Sequence, residues 1–308
     1  MLSIVNALIP VISIIALGLL LKRSAVFSEQ SWAGFANLCY FVLFPALLIK
    51  TLATAQLGTT EMLLFAGMVL FAIFAMSGFM LLLYPLLSRH FGIAGSAFTS
   101  LFQGATRWHG FIALSIVGLL FGDEGFAYMA ITMAVIIPPL NIINVSVLAR
   151  FTDADSSLRI VINKLYRNPF ILACVVGASL NLSGIGLPGS VYTIFDIVGG
   201  GALGLGLLTV GAGLKLGLVL DQRSLVGFGA IIRLLGMPAL MFTGAWIFGI
   251  DGMPRTVAVI AAAVPTAASS YILARQMGGD APLMANLITV QVLLSAVSLP
   301  FMIWLAEL

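Results

Sequence analysis

Arg107 and Arg233 both fall deep inside long apolar stretches of the 308-residue chain. A guanidinium at membrane depth is costly, so each must face a cavity or a partner. Arg107 belongs to Gln103-Gly104-Ala105-Thr106-Arg107-Trp108-His109-Gly110, a polar insert between two apolar runs. There it can clamp a carboxylate with paired hydrogen bonds, or hold carbonyls freed by a helix break. His109 can titrate near neutral pH. Protonated, it adds charge for an anion or carries a coupling proton; neutral, it hydrogen-bonds the break. A second insert reads Val264-Pro265-Thr266-Ala267-Ala268-Ser269-Ser270. Pro265 lacks a backbone donor and its ring clashes with the preceding turn, so it marks a break. The hydroxyls of Thr266 and Ser269 can bind a solute or their own helix. Asn141 and Asn144 follow Pro138-Pro139 and share a helix face. Gln291 lies near the corresponding place late in the chain. Asn141 and Gln291 can line a site or bond between helices. Asp196 and Arg233 can meet as an ion pair, or Asp196 can relay protons.

The elements that position these residues are set by composition. Sixty-one per cent of residues are apolar and 8% charged, with a mean hydropathy of +1.16. Soluble domains are about half apolar and about a quarter charged. A water-soluble enzyme, a nucleic-acid binder and a disordered chain are excluded; an all-α polytopic membrane protein is expected. A crossing takes about 20 apolar residues. Ten candidates are read: 3–21, 33–54, 62–87, 95–121, 125–149, 168–183, 189–216, 224–249, 255–276 and 281–305. The first is too long for a signal segment and lacks its basic start and cleavage site, so it is expected as a span. Cys39 and Cys174 show neither CxxC nor metal spacing, so no metal and no cofactor is expected. His90 and His109 are the only histidines, and neither has an evident catalytic partner, so no enzyme is expected.

Ten of the fourteen Lys and Arg fall in the loops after spans one, three, five, seven and nine, or at the adjoining helix ends. They are Lys22, Arg23, Arg89, Arg150, Arg159, Lys164, Arg167, Lys215, Arg223 and Arg275. Cytoplasmic loops carry such an excess, so both termini are expected outside and the 150–167 loop in the cytoplasm. Five spans in each half require the second half to be inverted. Pro10 and Gly18 recur as Pro169 and Gly177, 159 residues on; Gly122-Asp123 recurs as Gly279-Asp280, 157 residues on. At that second offset Trp108 falls on Pro265. The expected organisation is 1–150 as one five-helix repeat, 151–167 as a linker and 168–308 as the inverted repeat. Interrupted helices at matching places in inverted halves point to a transporter binding site. Half-helix N-termini carry partial positive charge, which suits an anion.

An ordered set of stretches carries a family resemblance: Ile15-Ala16-Leu17-Gly18-Leu19-Leu20-Leu21-Lys22-Arg23, FVLFPALL at 41–48 and FQGATRWHGFIAL at 102–114. IIPPLNIINVSVL at 136–148, RNPFILACVVG at 167–177 and VPTAASSYILARQMGGD at 264–280 complete it. Across nearly its whole length the chain resembles a bacterial member of the auxin efflux carrier family, which includes plant auxin exporters and malonate or malate permeases. The resemblance implies ten helices in two inverted five-helix repeats, with crossed broken helices four and nine, as in sodium/proton antiporters and bile-acid symporters. It implies a scaffold of helices one, two, six and seven, and a transport domain of the others moving as an elevator in an inner or plasma membrane. At the first break, Arg107-Trp108-His109, the chain departs from the family: His109 or Trp108 stands where Asn is usual, so an auxin or malonate substrate does not carry over.

The reading is a transporter of a small organic anion, a carboxylate, with Arg107, His109, Asn141, Pro265, Thr266, Ser269 and Gln291 at the site. A sodium- or proton-coupled symporter of another solute is the alternative. Span five has no acidic residue after Glu124, which disfavours cation exchange. The lipid bilayer, a coupling proton or sodium ion, and a second copy held through the scaffold helices are the further partners considered.

Overall fold

The computed structural model describes residues 2–55, 60–152, 166–214 and 222–308, and among them there is helix but no strand. In hydrocarbon no water satisfies a free N–H or C=O, so apolar runs must bond internally as helices. The helices are α1 (Leu2–Arg23), α2 (Glu29–Leu38), α3 (Phe44–Thr54), α4 (Thr60–Phe91), α5 (Gly95–Thr106), α6 (Gly110–Phe151) and α7 (Pro169–Leu182). There follow α8 (Gly189–Gly200), α9 (Ala202–Ala212), α10 (Arg223–Ile231), α11 (Met237–Phe248), α12 (Gly252–Ala263), α13 (Ser269–Gln276) and α14 (Ala281–Glu307). Among the described residues seven helical runs are long and apolar enough to cross a membrane, which makes this a multi-pass membrane protein. Residues 153–165 of the expected linker, with Arg159 and Lys164, lie outside the described residues, as does Lys215.

Three kinds of local chemistry interrupt the runs. Turns of π-helix at Cys39–Leu43 and Ile232–Gly236 join α2 to α3 and α10 to α11. Each lies just before a proline, Pro45 or Pro238. A proline ring clashes with the carbonyl four residues back, and the widened turn makes room for it. Gly122 divides α6 with φ 57° and ψ −142°, a left-handed conformation that favours glycine. The third kind is a full break. Val264 is extended, with φ −67° and ψ 151°, because Pro265 disfavours helix in the residue before it. Arg107 is extended too, with φ −76° and ψ 155°, and Trp108 and His109 complete a break that no proline marks.

Packing sorts the helices into two sets. In one, α1 lies along α9, and α3 along α7 and α8. Gly18 lies against the backbone of Leu208 and Gly211 against that of Ile15, so α1 and α9 touch through glycine. Gly177 likewise lies against Ile49 of α3. Small residues let backbones approach closely in lipid, where dispersion and not water exclusion holds helices together. In the other set α4 packs on α11, and α12 on α6 and α14. The two breaks meet within this second set.

Candidate functional site

The breaks at 107–109 and 264–268 lie side by side, and each has two chemically opposite ends. On one side α5 and α12 finish, leaving carbonyls without intrahelical donors. Arg233 collects them. Its Nε donates to Val264 O at 2.8 Å, one Nη to Ala105 O at 3.2 Å and the other to Ala261 O at 3.1 Å. The side chain is 1% exposed and projects from the second π turn. Gln291 on α14 adds a second stitch: its Nε2 donates to Gly104 O and Gly229 O, each at 3.2 Å, and its Oε1 accepts from the Thr266 N–H at 2.9 Å. The Thr266 hydroxyl donates to Gln103 O at 3.2 Å, which ties one break directly to the other.

On the other side α6 and α13 begin. Their first residues, Gly110, Phe111 and Ser269, line a cavity of about 310 Å³ together with Arg107, Trp108, His109, Ala267 and Ala268. A second cavity of about 580 Å³ shares Tyr40, Arg107, Asn141, Asn168 and Ser269 with the first, and extends to Arg167 and Gln276. Arg107 reaches Asn141 Oδ1 and Ser269 Oγ through one Nη, both at 3.4 Å. These are long bonds for a guanidinium, whose charge-assisted contacts normally run about 2.7–2.9 Å. The Asn141 amide donates to Ile137 O at 3.0 Å. His109 is 7% exposed, and its Nδ1 has no hydrogen-bond partner among the described residues. Phe111, Phe170, Met133, Ile137 and Leu140 form an apolar wall.

Of the residues singled out in the sequence, Arg107, His109, Asn141 and Ser269 come together around the cavity. Pro265 opens the second break. Thr266 and Gln291 are fully buried, bond to each other and to backbone, and do not line it. Asp196 and Arg233 do not pair with each other. Asp196 accepts from Lys50 at 2.7 Å, and Arg233 is taken up by carbonyls. Two of the residues shared by both cavities carry no earlier expectation. Tyr40 projects from the first π turn, and Asn168 caps α7, its Oδ1 accepting from the Phe170 N–H at 2.9 Å. Asn before Pro169 is a legible cap signal, but that this cap borders a cavity is set by tertiary packing.

A multi-pass helical membrane protein with a cavity at two adjacent helix breaks fits the class of membrane transport proteins. A family model described as membrane transport protein matches residues 3–303, and the chain belongs to that family, the auxin efflux carriers. Among its relatives is an uncharacterised transporter of the archaeon Methanothermobacter thermautotrophicus, 23% identical over 299 residues and covering 96% of each chain. Auxin efflux carrier component 5 of Arabidopsis thaliana is 28% identical over 121 residues, 37% of this chain and 34% of the plant protein.

Proposed function

We propose that the chain moves a small organic anion, a carboxylate, across a cell membrane by alternating access. One observation carries this reading: both half-helix N-termini and Arg107 border the cavity, while both half-helix C-termini are neutralised by Arg233. Aligned peptide dipoles place about half a positive charge at each N-terminus, so the cavity is polarised for an anion. Arg107 is the carboxylate clamp, since its two present bonds are long enough to yield to a better acceptor. His109, Asn141 and Ser269 supply polar contacts, and Tyr40 and Asn168 face them from the other helix set. Pro265 keeps the break open; Thr266 and Gln291 hold it in place.

In the same reading the chain makes ten crossings as two inverted repeats, 1–150 and 168–308. The reciprocal glycine contacts support this, because Gly18 and Gly177, 159 residues apart, both sit where the first helix of a repeat touches the opposite half. Helices one, two, six and seven form the scaffold, the rest move as an elevator, and the basic loops put both termini outside the plasma or inner membrane. Auxin, the solute named for the Arabidopsis relative, is one member of the carboxylate panel to be tried.

A thermal-shift screen of carboxylates on purified protein tests the assignment, since a ligand bound to the folded state stabilises it by mass action. A substrate should raise the melting temperature of the wild type and not that of Arg107→Ala. Equal stabilisation of both proteins by one carboxylate overturns the role of Arg107.

A further inference from the structure

Lys50 lies on α3 and is only 10% exposed in its side chain. Its ammonium is 2.7 Å from Asp196 on α8 and 3.7 Å from Asp123, which follows the left-handed Gly122. It also stands over the Tyr192 ring at 5.3 Å. The two carboxylates are not equivalent. Asp196 belongs to the helix set that includes α3, so the short pair joins elements that pack together. Asp123 belongs to α6, and its longer pair to Lys50 links α3 with that helix. Asp123 is 76% exposed.

The level of this cluster is fixed by helical rise. Ten residues separate Tyr40 from Lys50, and thirteen separate Gly110 from Asp123. At about 1.5 Å per residue these are roughly 15 and 20 Å from the cavity. The direction is fixed by α7. At its start Asn168 borders the cavity that reaches Arg167, and at its end Asn181 donates to Ala53 O at 3.3 Å, beside Lys50. The cavity therefore extends toward Arg167 and Gln276, and the cluster lies on the opposite face.

We propose that Lys50 and Asp123 form an ionic latch that closes the cavity on the face away from Arg167. The inference rests on the alternating-access reading above. Asp196 keeps the ammonium aimed at the boundary, and Asp123 is the partner that parts when α6 moves. With its carboxylate exposed and a separation of 3.7 Å, this ion pair is weak enough to break in every cycle. No catalytic or binding residue takes part.

Labelling with a membrane-impermeant maleimide, applied to each face of oriented vesicles, tests the latch without a known substrate. Ser269→Cys reports on the cavity, Thr54→Cys marks the Lys50 face, and the chain with only its buried Cys39 and Cys174 is the blank. Ser269→Cys should label quickly from the Arg167 face and slowly from the Lys50 face. Adding Asp123→Asn should raise labelling from the Lys50 face by up to about fivefold, the scale of an exposed ion pair. Asp123→Lys should do so at least as strongly, and Glu124→Gln should not. Unchanged labelling in both Asp123 variants overturns the latch. Equal labelling of Ser269→Cys from the two faces in the otherwise wild-type chain overturns alternating access itself, which keeps the two failures distinct.

Discussion

Arg107 and Arg233 are the same residue at comparable depth, and the folded chain treats them oppositely. Arg233 gives Nε and both Nη groups to three carbonyls and is sealed from solvent. Arg107 makes two contacts of 3.4 Å through a single nitrogen and borders open volume. The contrast follows from the polarity of a broken helix. Where carbonyls are released, a cation is a structural necessity. Where N–H groups are released the local charge is already positive, and a second positive group there is costly unless an anion joins it. A buried arginine is thus evidence of function only after the carbonyls around it have been counted.

The largest test of that contrast is Arg233→Ala. It strands three carbonyls and should cost about 3–5 kcal/mol, as for breaking a buried charge network. A melting temperature lower by about 10 °C is expected, or failure to fold. Arg107→Ala should melt within a few degrees of the wild type. If the two variants melt alike, the division between structural and solute-facing arginine fails.

Pro265→Ala comes next. The break at Val264 has a local steric cause, and alanine removes it, so the second half-helix N-terminus can be reabsorbed into a continuous helix. The protein should remain folded and lose at least about tenfold in carboxylate affinity, or about 1.4 kcal/mol. Unchanged binding by a folded Pro265→Ala protein would show that the break does not need its proline.

These partners were legible to different degrees. Hydropathy located the apolar runs, because every turn of a crossing helix must be apolar. Pro265 exposed the second break, because its effect on Val264 is local. Arg107, Asn141 and Ser269 stood out as polar groups where polarity is costly. Arg233 was visible as a residue, but its partners were not: a carbonyl has no sequence signature, whereas Asp196 is an acid within a span. That acid is taken by Lys50. Tyr40 escaped notice because a tyrosine in an apolar run is ordinary; the π turn before Pro45 and the packing of α7 bring it to the cavity.

Gln291→Leu should have a smaller effect, because it removes one stitch of several. The Thr266 N–H and two carbonyls lose a partner, while Arg233 still holds both C-termini. A loss of about 1–3 kcal/mol is expected, the range for an unsatisfied buried group. Binding should weaken only in step with that loss. A Gln291→Leu protein that melts normally yet no longer binds would move Gln291 from the structural side of the break to the solute side.

His109→Asn is the smallest change and the sharpest on the solute side. The Nδ1 atom has no partner among the described residues, so its removal leaves no internal donor or acceptor stranded. Stability should fall by about 1 kcal/mol, the centre of the range for single substitutions, as the ring contact with Phe111 is lost. Asparagine keeps a polar group at the start of α6 but cannot carry a proton. Carboxylate affinity should therefore persist to within about tenfold. If affinity is lost as completely as in Arg107→Ala, the histidine shares the charge of the clamp and the cavity holds two cationic contacts. If affinity is unchanged, His109 serves the break alone, and Arg107 with the two helix N-termini accounts for the whole anion site.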